Sequence, residues 1–255
     1  YWNEWTRRNR WGIQIRRPVH AWQWFMGRNR ETFEAHPEFR ALVGGERRGN
    51  KLCVSNRAVE ELFAEWARQQ VRDQRQSIEA GAPLLMPVAI AEPTDGGGYC
   101  QCETCAPIGA GSASDQVFHL ANVAARAVRE VTPDAEVGLY SYYKHSAPPA
   151  FPLESNVRVW VIPYAFNQFP ASPEGTIREW TRHAENLGIY DYWAITQWKK
   201  CRPRFDFVDR PRARVRLWHD AGVRGVSLET SASAGAVGLG LYLGARLMWE
   251  DRKST

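Results

Sequence analysis

From about residue 55 onward, hydrophobic positions alternate between helical and extended spacing. Apolar residues between Val59 and Val71 recur every three or four positions, and Ser55 or Asn56 can cap the helix that this spacing predicts. The continuous apolar run at 84–91 then predicts a buried strand. Four more strands are predicted at 137–143, 157–164, 189–195 and 223–229. Four more helices are predicted from Ser114 or Asp115, and at 173–187, 209–221 and 237–249.

Five strands alternating with five helices indicate parallel βαβ units, and strands apolar on both faces fit a sheet covered by helices. A doubly wound sheet and a (β/α)8 barrel both match this pattern. No glycine-rich phosphate loop follows a strand, since Gly96-Gly97-Gly98 lacks both the lysine and the helix register. The expected fold is therefore a (β/α)8 TIM-type barrel in a single domain spanning 1–255. Its first strands are expected to be missing or hidden in the Arg- and Trp-rich segment 2–49, which has little periodicity.

Polar and aromatic residues follow the predicted strands, at the edge where parallel α/β folds carry their chemistry. Glu92 and Asp95 follow the first strand and Glu229 follows the last. The accompanying aromatic and imidazole side chains are Tyr142, His145, Tyr192, Trp193 and Trp198. Paired carboxylates with aromatic platforms are typical of carbohydrate hydrolysis. We predict Asp95 and Glu229 as the catalytic carboxylates, with Glu92 as the substitute for either, and the aromatic group as the substrate-binding set.

Two alternatives stay open at this site. Each carboxylate has a purely structural interpretation, in which Asp95 braces the neighbouring cysteine loop and Glu229 pairs with Arg224 or Arg246. A non-catalytic glycan-binding barrel would keep the aromatic residues without a spaced carboxylate pair. The sugar, its linkage and the stereochemical course are left open.

Cysteine spacing gives the sharpest local signal. Cys100, Cys102 and Cys105 form C-x-C-x2-C in a glycine-rich loop, and Cys53 lies 47 residues earlier, whereas Cys201 stands apart. Four thiolates suit a closed, tetrahedral structural zinc site, and no organic cofactor is indicated. Disulfides in an oxidising compartment and free thiols are the alternatives.

Several segments resemble domain-of-unknown-function family 4838. They are HPEFRAL at 36–42, GER at 45–47, KLCVSN at 51–56, TDGGGYCQCETC at 94–105 and YLGARLMW at 242–249. The resemblance covers nearly the whole chain and places Asp95 in the family's Asp-Gly-Gly motif. It implies a bacterial, carbohydrate-acting barrel similar to glycoside hydrolases, commonly exported to the periplasm or outside the cell, and a fragment of a longer protein. Uronic-acid or amino-sugar substrates fit the same resemblance. The cysteine spacing also resembles the zinc site of some bacterial β-galactosidase barrels.

Composition and charge limit the classes of partner that the chain is expected to bind. The 255 residues carry a net charge of +5, and the excess of arginine is concentrated near the start of the chain. Acidic residues are interspersed elsewhere, so nucleic acid is not an expected partner. No apolar run reaches the roughly 18 residues that a membrane helix needs. Twelve tryptophans are compatible both with a large core and with sugar stacking. The compartment and the oligomeric state are left open by the residues themselves.

Overall fold

The computed structural model describes residues 16–82, 84–194, 209–230 and 234–249. Its first part contains two short helices, α1 (Trp22–Arg28) and α2 (Arg30–Ala35), and a 3-10 turn at Pro37–Phe39. An antiparallel hairpin follows, made of β1 (Arg40–Val43) and β2 (Glu46–Leu52). Gly44 and Gly45 connect the strands with φ angles of 59° and 85°. Both lie in the left-handed region that a tight hairpin turn needs, which explains the glycine pair.

The predicted alternation of strands and helices is present in the rest of the chain. The elements are α3 (Arg57–Glu79), β3 (Val88–Ile90), α4 (Ala113–Arg129), β4 (Glu136–Ser141), β5 (Val157–Val161), α5 (Pro173–Thr181), β6 (Asn186–Ala194), α6 (Asp209–Asp220), β7 (Gly225–Thr230) and α7 (Ala234–Trp249). The five strands β3 to β7 form one parallel sheet in sequential order. Within the described ranges, no helix is long and apolar enough to span a membrane.

The prediction of a TIM-type (β/α)8 barrel is wrong for the part of the chain that the structure describes. The parallel sheet has five strands and is a half-barrel, in which β3 and β7 are the edge strands. The reason lies in the segment expected to hide the first strands. Its described residues form short helices and a hairpin, and a two-residue turn joins antiparallel strands rather than the parallel strands of a βα unit.

Helix capping also differs from the prediction at α4. Ser112, rather than Ser114 or Asp115, is the N-cap, and its hydroxyl accepts from the Asp115 backbone N–H. The Asp115 carboxylate reciprocates by accepting from the Ser112 backbone N–H at 2.9 Å, which completes a capping box. Helix α3 begins after Asn56, one of the two predicted caps, whose side chain accepts from the first-turn N–H groups.

The two faces of the half-barrel carry different residues, because neighbouring side chains on a strand point to opposite faces. Aliphatic side chains such as Val137, Leu139, Val159 and Val161 belong to the main core with residues of the helices. The other face, the inner one, carries a cluster of Tyr140, Trp160, Ile162 and Tyr190. This inner cluster leads to the carboxyl ends of the strands, where the candidate site lies.

Trp160 is the largest residue of the inner face, and three glycines surround its indole. A β-carbon added at Gly188 would lie 2.7 Å from Trp160, and one at Gly225 would lie 3.2 Å away. One at Gly138 would lie 3.9 Å from the indole nitrogen. The glycines on β4, β6 and β7 therefore leave the space that the indole occupies.

A buried ion pair lies at the amino end of the same face. The Arg158 guanidinium donates to both carboxylate oxygens of Glu136, with Nε–Oε2 and Nη2–Oε1 distances of 2.6 and 2.8 Å. Both residues are buried, and the bidentate geometry joins β5 to β4.

Candidate carboxylate cleft and four-cysteine centre

Glu92 lies two residues after the end of β3, and both of its carboxylate oxygens have hydrogen-bond partners within the protein. Its side chain has 0% exposure. One carboxylate oxygen accepts from the Tyr140 backbone N–H at 2.8 Å, and the other is 3.1 Å from Nε2 of His145. The second ring nitrogen of His145 is 3.1 Å from the Tyr99 hydroxyl, so a chain of hydrogen bonds links Tyr99, His145 and Glu92. Since both carboxylate oxygens have internal partners, Glu92 has the geometry of a positioning residue.

Asp95 lies three residues further on and is 67% exposed. Its carboxylate is 3.1 Å from Nε2 of His20. The other ring nitrogen of His20 donates to the Pro93 carbonyl at 2.8 Å, which orients the imidazole toward the loop. Asp95 therefore presents a solvent-accessible carboxylate beside an imidazole.

Lys51, near the end of β2, holds the backbone of the Asp95 loop. Its side chain has 1% exposure. The ammonium group donates to the Thr94 carbonyl, and at 3.0 Å each to the Thr94 hydroxyl and the Asp95 carbonyl. Burial lowers the pKa of Lys51 to about 8, although the charges of Glu92 and Asp95 oppose that change. The Tyr99 ring lies 5.4 Å from the ammonium nitrogen.

Glu229 lies on β7, opposite Tyr192 in the parallel register. Its carboxylate accepts a hydrogen bond from the Tyr190 hydroxyl. Arg17 also donates to that hydroxyl, at 3.4 Å. Burial raises the pKa of Tyr190, and the hydrogen bond to Glu229 adds to the effect. Tyr190 therefore remains a neutral hydrogen-bond donor to the Glu229 carboxylate.

Tyr142 and Tyr192 are the phenols near the carboxylates at the two edge strands, Asp95 after β3 and Glu229 on β7. Burial raises the pKa of Tyr142 to about 12, with further contributions from Asp95, Glu92 and Glu229. Burial also raises the pKa of Tyr192, and Tyr190, Glu229 and Asp95 contribute. Ring contacts also connect this region: the His20 ring beside Asp95 is 6.3 Å from that of Tyr142, and the Tyr192 ring is 5.4 Å from that of Tyr190, which donates to Glu229. Both carboxylates therefore border the same aromatic cluster at the carboxyl edge of the sheet.

Phe166 extends this aromatic surface. It is 49% exposed, and its ring centroid is 5.8 Å from that of Tyr142 and 6.0 Å from that of Tyr192. Phe166 and Tyr143 have φ angles of 54° and 46°, the two positive values among the described non-glycine residues. Such backbone is strained by about 1–2 kcal/mol per residue, and strain of this kind concentrates at functional sites.

The structure describes only part of the two remaining predicted aromatic residues, Trp193 and Trp198. The backbone of Trp193 belongs to β6, but its side chain lies outside the described residues, as does all of Trp198. Five cleft residues were absent from the predicted set: His20, Lys51, Tyr99, Phe166 and Tyr190. Tyr190 alternates with Tyr192 along β6 and could have been found from that period, whereas His20 and Lys51 lie in segments without a clear periodic signal.

The four predicted metal ligands converge beside the cleft. Cys53 follows β2, while Cys100, Cys102 and Cys105 come from the loop between β3 and α4. The Sγ–Sγ distances are 3.7 Å for Cys53–Cys102, 3.8 Å for Cys53–Cys105 and 3.4 Å for Cys100–Cys102. All four sulfurs lie within 4.8 Å of one another, and these four cysteines form no disulfide. The arrangement is compatible with a structural metal ion, and Cys201 lies outside the described residues.

The pKa values of the four cysteines shift in opposite directions. Hydrogen bonds with Cys100 and Cys53 raise the pKa of Cys105. A hydrogen bond with Cys105 acts to lower the pKa of Cys100, but a hydrogen bond with Cys53 together with burial raises it. Hydrogen bonds from Cys100 and Cys105 lower the pKa of Cys53. Burial opposes ionisation of Cys102, yet a hydrogen bond from Thr104 helps to hold its pKa at about 7. The Leu42 backbone N–H also donates to the Cys100 sulfur at 3.3 Å. Thiolate is the form that binds metal ions.

Fold and site together define an α/β half-barrel with a carboxylate cleft at the carboxyl ends of its strands and a four-cysteine centre next to it. The sequence matches, over residues 2–255, the model of the family described as "Domain of unknown function (DUF4838)". The chain belongs to this family. No curated protein and no solved structure matches the chain.

Proposed function

We propose that the cleft binds a glycan and hydrolyses one of its glycosidic bonds, with Asp95 and Glu229 as the working carboxylates. The observation that carries this proposal is the continuous series of contacts between the two carboxylates. His20, beside Asp95, has its ring 6.3 Å from that of Tyr142. The Phe166 ring lies near both Tyr142 and Tyr192, and the Tyr192 ring is 5.4 Å from that of Tyr190, which donates to Glu229. Glycosidic bond cleavage uses a pair of carboxyl groups, which here follow or belong to different strands, and the aromatic side chains beside them can pack against sugar rings.

The environments of the two carboxylates favour different roles. Glu229 accepts from Tyr190, and a carboxylate oriented in this way suits the role of nucleophile or general base. Asp95 is exposed and lies beside His20, so it can reach a glycosidic oxygen and exchange a proton. Tyr142, Tyr192 and Phe166 supply apolar ring surface against which a pyranose can pack.

The test is a screen of the native protein against aryl-glycosides and oligosaccharides that contain uronic acids. For a substrate that is cleaved, Glu229→Gln and Asp95→Asn keep the side-chain shape and remove the ionisable group. We expect turnover to fall by about 10²-fold or more in each variant, while the fold is retained. Glu61→Gln is the matched control, because Glu61 is an exposed carboxylate on α3 that pairs with Arg57. Unchanged turnover in both active-site variants would refute the assignment.

Glycan binding without hydrolysis is the second candidate, and the exposure of Phe166 favours it. In that case Phe166→Ala and Tyr192→Ala weaken glycan binding in titration calorimetry, and no substrate in the screen is cleaved. Base–aromatic stacking loses about 1–3 kcal/mol per ring on alanine substitution, and we expect a loss of similar size for a sugar ring. Hydrolysis that depends on Glu229 would exclude this candidate.

We propose that the four-cysteine centre holds one zinc ion. Four sulfurs about 2.3 Å from a tetrahedral zinc are separated from one another by about 3.8 Å. The distances of 3.4–3.8 Å between the cysteine sulfurs are close to that value. Four thiolates would leave no open coordination position, so the metal would stabilise the fold without taking part in catalysis. Elemental analysis of the purified protein should give one zinc per chain, and a metal-free protein that binds no zinc would refute the proposal.

A further inference from the structure

We infer that the four-cysteine centre controls the position of the Asp95 loop, through Lys51 on one side and Tyr99 on the other. The inference rests on the metal centre proposed above and is independent of glycan hydrolysis. Asp95 and Cys100 belong to one loop, whereas Cys53 belongs to the end of the hairpin. The sulfur cluster is therefore one of the places where the loop and the hairpin meet, beside the hydrogen bond from the Gln101 N–H to the Leu42 carbonyl.

Lys51 forms the first connection. It lies two residues before Cys53, and its ammonium group has three donors. All three point to oxygens of Thr94 and Asp95, namely two carbonyls and one hydroxyl. The side chain is buried, so water does not replace these bonds at little cost. A displacement of β2 at Cys53 is thereby transmitted to the backbone of Asp95.

Tyr99 forms the second connection. It directly precedes Cys100, whose backbone N–H and carbonyl are both bonded to the side-chain amide of Gln116 on α4. The Tyr99 hydroxyl bonds to His145, which in turn bonds to Glu92. This connection joins the cysteine loop to the two ends of β3 and β4 nearest the cleft.

A bound metal would link Cys53 directly to the cysteines of the loop. This link would add to the hydrogen bonds that already join hairpin and loop, from the Gln101 N–H to the Leu42 carbonyl at 2.8 Å and from the Gly44 N–H to Oε1 of Gln101 at 2.9 Å. The four sulfurs lie within 4.8 Å of one another, so a single ion could contact all of them. Without the metal, the link between Cys53 and the loop cysteines is lost, so the backbone positions of Lys51, two residues before Cys53, and of Tyr99, directly before Cys100, are less constrained. The 3.1 Å contact between Asp95 and His20 then changes, as does the contact between His145 and Glu92.

The imidazole resonances of His20 and His145 report these contacts in NMR spectra without any glycan. The reduced native protein is stripped with a chelator and then titrated with Zn²⁺ alone. We expect one equivalent of Zn²⁺ to shift both resonances. The exposed His183 and His219, which contact Glu179 and Asp220, serve as controls for global folding and should not shift.

Lys51→Met tests the first connection, because methionine fills similar space and has no donors. We expect this variant to bind one equivalent of Zn²⁺ and to lose most of the His20 shift, while His145 still responds through Tyr99. Lys144→Met, at an exposed position, is the matched control and should behave as the native protein. If Lys51→Met does not fold, Lys51→Arg replaces it, since a planar guanidinium cannot direct three donors to the same three oxygens.

The outcomes separate the two proposals. Failure of the cysteines to bind Zn²⁺ would refute the metal centre and the coupling together. Zn²⁺ binding without a shift of His20 and His145, or an undiminished His20 shift in the Lys51 variant, would refute the coupling alone. None of these results bears on whether Asp95 and Glu229 cleave a glycan.

Discussion

Replacing Gly188 with alanine tests how tightly the inner face of the half-barrel is packed. The new methyl carbon would lie 2.7 Å from two atoms of the Trp160 indole and 3.1 Å from a third. Ordinary carbon contacts are about 3.5–4.0 Å, so the ring must move by about 1 Å to relieve the overlap. The space beyond the ring is limited, because the β-carbon position of Gly225 is only 3.2 Å from its far edge.

The expected cost of Gly188→Ala follows from this lack of space. Adding a methyl group to a well-packed core costs about 1–3 kcal/mol, which for a chain of this size lowers the melting temperature by about 2–12 °C. Urea unfolding followed by far-UV circular dichroism measures the free energy of unfolding. Gly97→Ala is the matched control, since nothing lies within 4 Å of its added methyl group, and it should change stability by less than about 0.5 kcal/mol.

A double-mutant cycle identifies the cause. Trp160→Leu removes the ring atoms that the methyl group meets, so Gly188→Ala should cost about 1 kcal/mol less in that background. The packing argument fails if Gly188→Ala is as stable as the native protein. It also fails if the substitution costs the same with and without the indole.

Three further predictions concern metal, charge and pH. Chelation should lower the melting temperature by well over 10 °C in a thermal scan, because zinc binding at structural sites in small peptides contributes about 10–16 kcal/mol to the free energy of folding. An unchanged melting temperature would contradict a structural role for the metal. Glu136→Gln should cost about 3–5 kcal/mol in urea unfolding, because it leaves the buried Arg158 guanidinium without its counter-charge, and a loss below about 1 kcal/mol would show that the pair is not needed. Burial opposes ionisation of Asp115, but hydrogen bonds from the N–H groups of Ala150, Ser112 and Ala110 keep its pKa below the ordinary value of 3.8. The stabilisation by the Asp115 carboxylate is therefore present above its unfolded pKa and is lost as the pH falls through the lower folded pKa. The native protein should be more stable than Asp115→Asn by about 1–3 kcal/mol at pH 7, and this difference should shrink below pH 4. A difference that stays constant with pH would contradict the prediction.

Continuous apolar runs predicted where the parallel strands lie, but not the residues at which each strand begins and ends. The strand predicted at 84–91 is reduced to Val88–Ile90, since Pro87 has no N–H to donate to a neighbouring strand. The helix predicted at 173–187 ends at Thr181, before the strand that begins at Asn186. The first hairpin was missed although its Gly44-Gly45 turn was visible, because β2 has the polar sequence ERRGNKL with little alternation.

The candidate site was predictable only where one local rule applies. Strand-end position brought Glu92, Asp95 and Glu229 into one group, and spacing brought the four cysteines together. Local rules could not show that Lys51 reaches Asp95 across 44 residues, or that His20 contacts it from the other side. They also could not distinguish the buried, internally bonded Glu92 from the exposed Asp95, because that difference depends on tertiary contacts.

The sequential order of the parallel strands has a consequence for how the chain folds during synthesis. Each new strand from β4 to β7 pairs with the strand made just before it, so the sheet can grow in the direction of translation with only local loop closures. The four-cysteine centre is the exception, because Cys53 must wait for Cys105, 52 residues later. The hairpin therefore leaves the ribosome before its sulfur partners do, and its attachment to the rest of the domain is delayed until α4 begins to emerge.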